Sequence, residues 1–149
     1  MLNSYCTPKP MTVVDPVKPI TDGLTIKWTK QDKNTTQSPD VFGPAMWFTL
    51  HNGAAHLPNV ISPISLSRIK ASIDGIPEIV PCAECSEHAR AFIEKNRQRI
   101  NNMKSGDDIF KFYVDFHNYV NERLQKPLMS YEAAYSIYKG GRNVNVMKY

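Results

Sequence analysis

From Val41 onward the apolar positions recur at helical spacing, and five segments carry the pattern. GPAMWFTLHNGAAHL (43–57) sets Trp47, His51 and Ala55 four residues apart, with a proline near its start. SPISLSRIKASIDGI (62–76) opens on Ser-Pro, a helix-start signal. PCAECSEHARAFIEKN (81–96) begins at Pro81, whose missing N–H is harmless in a first turn. SGDDIFKFYVDFHNYVNERLQK (105–126) starts with Ser105 and Asp108 in an Asp variant of the capping box. SYEAAYSIYKG (130–140) is short and runs into Gly140-Gly141, a stop.

The segment from 105 to 126 is the most regular. Ile109, Phe112, Tyr113, Phe116 and Val120 form one apolar stripe. Phe110, Val114, His117, Asn121 and Leu124 form a second, which begins apolar and turns polar halfway along. Two faces of this helix are therefore expected to be buried, one of them against something polar. Short links and the lack of a strand series predict an all-α helix bundle.

Residues 1–40 break the pattern. They hold five of the eleven prolines and show no helical period, so they read as an extended arm, with LTIKW (24–28) as a short strand-like piece. One domain over 41–140 and a tail over 141–149 complete the organisation, and 149 residues suffice for one core. The net charge of +4 and pI near 9.0 come without any concentrated basic block, which argues against nucleic-acid binding. No apolar run is long enough to span a bilayer. The N-terminus lacks a basic region followed by an apolar one, so export through a signal peptide is not expected. Three cysteines without such a signal argue against a disulfide scaffold.

Two of those cysteines, Cys82 and Cys85, form a C-x-x-C pair in the first turn of the third helical segment. Unpaired N–H groups and the helix dipole favour an ionised sulfur there, and the thiolate is the form that attacks disulfides. Adding His88 gives C-x2-C-x2-H, a partial zinc set that His51, His56 or His117 would have to complete. Two buried thiols are the third reading. The spacing alone leaves all three open.

A resemblance spanning residues 43–127 chooses among them. W47-F-T-L-H51, P81-C-A-E-C85 and H117-N-Y-V-N121-E-R-L-Q-K126-P follow the order and approximate spacing of the Erv/ALR family of FAD-linked sulfhydryl oxidases. Gly43-Pro44, where the family usually carries Gly-Arg, and the C-S-E-H-A continuation resemble the compact enzymes of large DNA viruses. The resemblance implies a four-helix bundle with a short fifth helix across it and FAD bound at the bundle end. It implies that Cys82, the outer sulfur, exchanges with a substrate and that Cys85, nearer the flavin, passes the electrons on. Oxygen would be the final acceptor, with release of hydrogen peroxide.

Cofactor contacts are implied for Gly43, Trp47 and His51 on the first helix, and for His117, Asn118, Val120, Asn121, Leu124 and Lys126 on and after the fourth. Tyr138 is implied to close over the adenine end. Cofactor contacts are implied as well for His56, which stands where relatives often carry tyrosine, and for His88, which is also a candidate for tuning the pair. Implied partners are thiol-bearing client proteins or a thioredoxin-like relay, and a second copy of the chain through the first two helices. The implied location is the host cytoplasm or the virion. No resident metal is implied; the rival is a non-enzymatic helical module with a Cys/Cys/His metal site. Many relatives add a second cysteine pair as a shuttle, whereas this chain offers only Cys6, open to a bond between subunits, a mixed disulfide with a client or an idle tail thiol, the last being favoured.

Overall fold

The computed structural model describes residues 36–140, so the arm, LTIKW, Cys6 and the tail beyond 140 lie outside the described residues. Those described form six helices and no strand: α1 (Pro39–Ala55), α2 (Pro63–Ile79), α3 (Ala83–Lys95), α4 (Arg97–Asn102), α5 (Gly106–Arg123) and α6 (Tyr131–Tyr138). Helix α1 packs along α5, α2 packs along α3, and the short α6 lies against both α1 and α5. The expected bundle with a short closing helix is present. The six-residue α4 was not foreseen, because only Ile100 of its residues is buried and no apolar period marks it.

Local chemistry explains most boundaries. Pro39 stands at the start of α1, one turn before the segment predicted from 43. Ser62 caps α2 by accepting from the Ser65 N–H, with Pro63 in the first turn. At α5 the capping box forms in full: Ser105 accepts from the Asp108 N–H, and the Asp108 carboxylate accepts from the Ser105 N–H. The Lys104 N–H above all, and then the Ser105 hydroxyl and N–H, donate to the Asp108 carboxylate and hold it below the usual range. Gly106 follows directly, where a Cβ would come within 2.8 Å of both Cβ and O of Leu57, so α5 starts hard against the α1–α2 connection.

The core is aromatic and centred on α5. Phe110, Phe112 and Phe116 are each 2% exposed or less. Phe92 of α3 stacks on Phe116 at 4.9 Å, and Tyr135 of α6 stacks on Phe110 at 4.3 Å. Burying each such ring contributes about 2 kcal/mol or more relative to leaving it exposed. Both expected stripes of α5 are buried in its first half. In its second half the polar stripe turns toward an open space beside α1.

Candidate active site

That space is a cavity of about 590 Å³, bounded by the first half of α1, the start of α3, the end of α5 and Tyr138 of α6. One side is apolar, built from Phe42, Met46, Phe48, Val80 and Phe116. Polar groups stand on the α5 side, at His117, Asn121 and Lys126, and on α1, at Asp40 and Thr49.

The cysteine pair closes one wall. Pro81 does not enter the helix as predicted; α3 starts at Ala83, and Cys82 is its N-cap. The Cys82 sulfur accepts from the Cys85 N–H at 3.2 Å, taking the place a serine or aspartate oxygen usually fills. The two cysteines are joined in a disulfide with their Cα atoms 5.2 Å apart. Cys85 is half-buried and lines the cavity, whereas Cys82, the sulfur expected outermost, is only 5% exposed. Ser86 donates to the Pro77 carbonyl at 2.7 Å, bracing the turn that carries the pair. Because Cys85 lies in the first turn of α3, its sulfur sits where the helix dipole favours negative charge.

Across the cavity, Trp47 lies flat on the His117 ring, with centroids 4.2 Å apart and planes 6° from parallel. Its edge meets Phe116 at 5.2 Å, so the indole is held on two sides. His51 sits behind this pair: it is 1% exposed, its Nε2 is 3.0 Å from His117 Nδ1, and Tyr138 stacks on its other side at 4.9 Å. Burial first, and then the neighbouring positive charge, push both imidazoles down to about 4: His117 acts on His51, and Lys126 on His117. Both rings are therefore neutral at pH 7.

Lys126 reaches the wall through a tight helix end. Its N–H bonds to the Asn121 carbonyl and the Gln125 N–H bonds to the Glu122 carbonyl, the paired bonds of a Schellman motif. The reversal puts Gln125 at φ 54°, the left-handed region where glycine is usual. Helix α5 thus stops at Arg123, three residues short of the predicted end.

The structure brings Cys85, Gly43, Trp47, His117, Val120, Asn121, Leu124, Lys126 and Tyr138 to the cavity. It does not bring Cys82, His51, Asn118, His56 or His88 to its lining. Asn118 clasps Met129, donating to its carbonyl at 2.8 Å and accepting from its N–H at 2.9 Å. His56 is exposed and bonds to the Asn52 carbonyl at the end of α1. His88 pairs with Glu84, which also meets Arg123 at 3.5 Å. The sequence reading missed the apolar wall, although Phe42 and Met46 stand one turn apart on the face beside Trp47. Pro44 also lines the cavity; its ring supplies no N–H to the Asp40 carbonyl and gives that edge an apolar surface. Among the described residues, no group of three His, Cys, Asp or Glu side chains is placed to hold a metal ion, so the Cys/Cys/His rival finds no ligand set there. No described helix is long and apolar enough to cross a membrane.

Residues 44–139 match the profile of the Erv1/Alr family. A protein of Invertebrate iridescent virus 6 that bears the name FAD-linked sulfhydryl oxidase is 38% identical over 100 residues, covering 64% of this chain and 89% of its own length. The FAD-linked sulfhydryl oxidase of African swine fever virus is 31% identical over 98 residues, covering 66% and 80%. The crystal structure of the yeast Erv1 core shares the fold, with a TM-score of 0.64 at 22% identity over 78% of this chain and 94% of that one. On the extent of the profile match and the identity to these relatives, the chain belongs to the Erv1/Alr family.

Proposed function

We propose that this chain is an FAD-linked thiol oxidase that forms disulfides in client proteins. The observation that carries the reading is a Cys82–Cys85 disulfide with Cys85 on the wall of a cavity that also presents Trp47, His117 and Lys126. The cavity suits the cofactor: its volume lies within the range of small-molecule sites, apolar walls accept flat rings, and Lys126 and Asn121 offer a cation and an amide to phosphates and ribose. His117, Trp47, Val120, Leu124 and Tyr138 would hold the rings, and Gly43 lets the α1 backbone approach closely, because nothing stands within 4 Å of the Cβ position there.

The chain's own chemistry is thiol–disulfide exchange. A client thiolate attacks the Cys82 sulfur, the Cys82–Cys85 bond breaks, and Cys85 leaves as a thiolate in the first turn of α3. A second client thiolate then attacks the mixed disulfide, forming the client's disulfide and releasing Cys82. Because Cys82 is 5% exposed, the attack requires local opening of the turn at residues 80–82. FAD held by Trp47, His117, Asn121 and Lys126 would supply the two-electron chemistry that returns the Cys82–Cys85 dithiol to the disulfide, with oxygen as the final acceptor and hydrogen peroxide as product. The neutral His51–His117 pair adds no charge to the site, so Lys126 is its resident cation on that wall.

Clients are thiol-bearing proteins or a thioredoxin-like relay, and the viral relatives favour a viral protein acting in the host cytoplasm or in virions. Homodimerisation through the first two helices fits the exposed Val60 and Ile64 between and on them. The boundaries proposed for the arm and tail remain those read from the sequence, adjusted by the α1 start at Pro39. The test is direct. Purified protein should be yellow and should consume one oxygen per dithiothreitol oxidised; a colourless, zinc-containing protein without dithiol-dependent oxygen uptake overturns the reading.

A further inference from the structure

Helix α2 runs out through Pro77-Glu78-Ile79-Val80-Pro81. A carbonyl inside a helix is met by the N–H four residues on, and for the Pro77 carbonyl that residue is Pro81, which has no N–H to give. Pro77 is buried, so its oxygen is costly to leave unpaired. The Ser86 hydroxyl takes the missing place, donating at 2.7 Å. Ser86 is held through its backbone as well, since its N–H bonds to the Cys82 carbonyl at 2.9 Å. One residue of α3 thus pins both ends of the turn that carries Val80, Pro81 and Cys82. Val80 anchors the middle of it, 9% exposed and on the cavity wall. Cys82, at 5% exposed, becomes accessible to a thiol only when this turn lifts.

We propose that the Ser86 hydroxyl is a latch on that turn: its bond to the Pro77 carbonyl sets how often the Cys82 sulfur is presented for exchange. The bond crosses the base of the turn, from the last turn of α2 to the beginning of α3, and keeps the two helix ends at their closed spacing. While it holds, a thiol meets Cys82 only in the small fraction of molecules whose turn has opened. Ser86 does not line the cavity, so it is a positioning residue and not a catalytic one. The inference rests on the thiol-oxidase reading in taking Cys82 as the sulfur that clients attack.

The test uses full-length, flavin-loaded protein in the absence of oxygen, with dithiothreitol low enough for its attack to limit the rate. One dithiothreitol thiolate bonds to the Cys82 sulfur as the Cys82–Cys85 bond breaks and Cys85 leaves as a thiolate. The second thiolate closes the oxidised dithiothreitol ring and frees Cys82. Alkylation followed by intact mass counts the freed thiols. Hydrogen exchange reads the Cys85 N–H, whose acceptor is the Cys82 sulfur. Ser86→Ala should be reduced about fivefold faster, the worth of one hydrogen bond, with Cys85 N–H protection falling by the same factor and α5 protected as in wild type. Ser86→Thr keeps the hydroxyl and should stay within about twofold of wild type in both measurements. A wild-type Cys85 N–H without protection overturns the proposal, with no variant needed. So does Ser86→Ala reduced at the wild-type rate, or a loss of protection that extends through α5, or Ala and Thr variants that behave alike. Wild-type protein that takes up no flavin overturns the FAD reading and not this inference, because alkylation and exchange report on the turn whether or not flavin is bound.

Discussion

Asn118 separates a cofactor contact from a clasp between elements. The family resemblance puts it among the FAD-binding residues, yet its amide is engaged on both sides by Met129, at 2.8 and 2.9 Å. Those bonds tie α5 to the segment leading into α6, and so to Tyr138 at the cavity rim. Asn118→Ala removes both. At about 1 kcal/mol net per bond, with water replacing part of the loss at this half-buried site, the cost is about 2 kcal/mol. For a folded unit of this size that lowers Tm by about 8 °C. A ligand that binds only the folded state raises stability by an increment set by its own concentration and Kd. Asn118 is absent from the cavity wall, so that increment should survive its removal. The assay is thermal unfolding of wild type, Asn118→Ala and Asn121→Ala, each at low and at saturating FAD. Asn118→Ala should fall by the same amount at both concentrations. Asn121→Ala, which alters the wall, should lose much of the FAD-dependent rise. If excess FAD restores the Tm of Asn118→Ala, the side chain contacts the cofactor and the reasoning fails.

Cys82→Ser and Cys85→Ser should each abolish dithiothreitol-dependent oxygen uptake while keeping the yellow colour, because the disulfide needs both sulfurs and serine nearly matches cysteine in size at these core-packed positions; turnover in either variant refutes the assignment. Gln125→Gly should stabilise the protein by about 1 kcal/mol in urea unfolding, since glycine adopts the left-handed φ of 54° without cost; a loss of stability would mean the Gln125 side chain supports the helix end. The His51–His117 pair predicts a pH dependence, because both folded pKa values lie near 4, below the ordinary 6.5 of the unfolded chain. Between those values the unfolded chain binds more protons, so stability is full above pH 6.5 and falls toward pH 4; the buried His51 alone should cost about 2 kcal/mol from pH 7 to 5. Equal urea midpoints at pH 7 and 5 would show that the pair is not held neutral.

The fold was legible where apolar period and capping chemistry agreed. Ser62-Pro63 and the Ser105–Asp108 box mark the true starts of α2 and α5. The misjudged ends share a physical cause, a terminus decided by one backbone hydrogen bond rather than by a face. Pro81 is as acceptable just before a helix as inside its first turn, and only the Cys82 sulfur accepting from the Cys85 N–H settles which. The end of α5 depends on Gln125 entering a conformation that its residue type does not announce. Helix α4 has no amphipathic face to detect; Asn96 ends α3 and begins α4 at once.

The site divides along a different line, that of helical phase against depth. In the H-N-x-V-N run the resemblance treats His117, Asn118, Val120 and Asn121 as one unit. Helical phase does not: 117, 120, 121 and 124 fall on one face, and all four line the cavity. Asn118 is turned about 100° from His117 and meets Met129 instead. Within this helix periodicity sorts the residues of the motif into those that line the cavity and the one that meets Met129. It fails for His51, which shares its face with Trp47 one turn earlier. Phase gives the direction of a side chain but not what stands in front of it, and here Trp47 and His117 do. Whether a histidine on that face meets a ligand or another histidine depends on how closely α1 and α5 approach, a distance set by Phe110, Phe116 and Tyr138 together. No local pattern encodes that distance, so the sequence sets His51 on the Trp47 face of α1 without showing that its Nε2 stands 3.0 Å from His117 Nδ1.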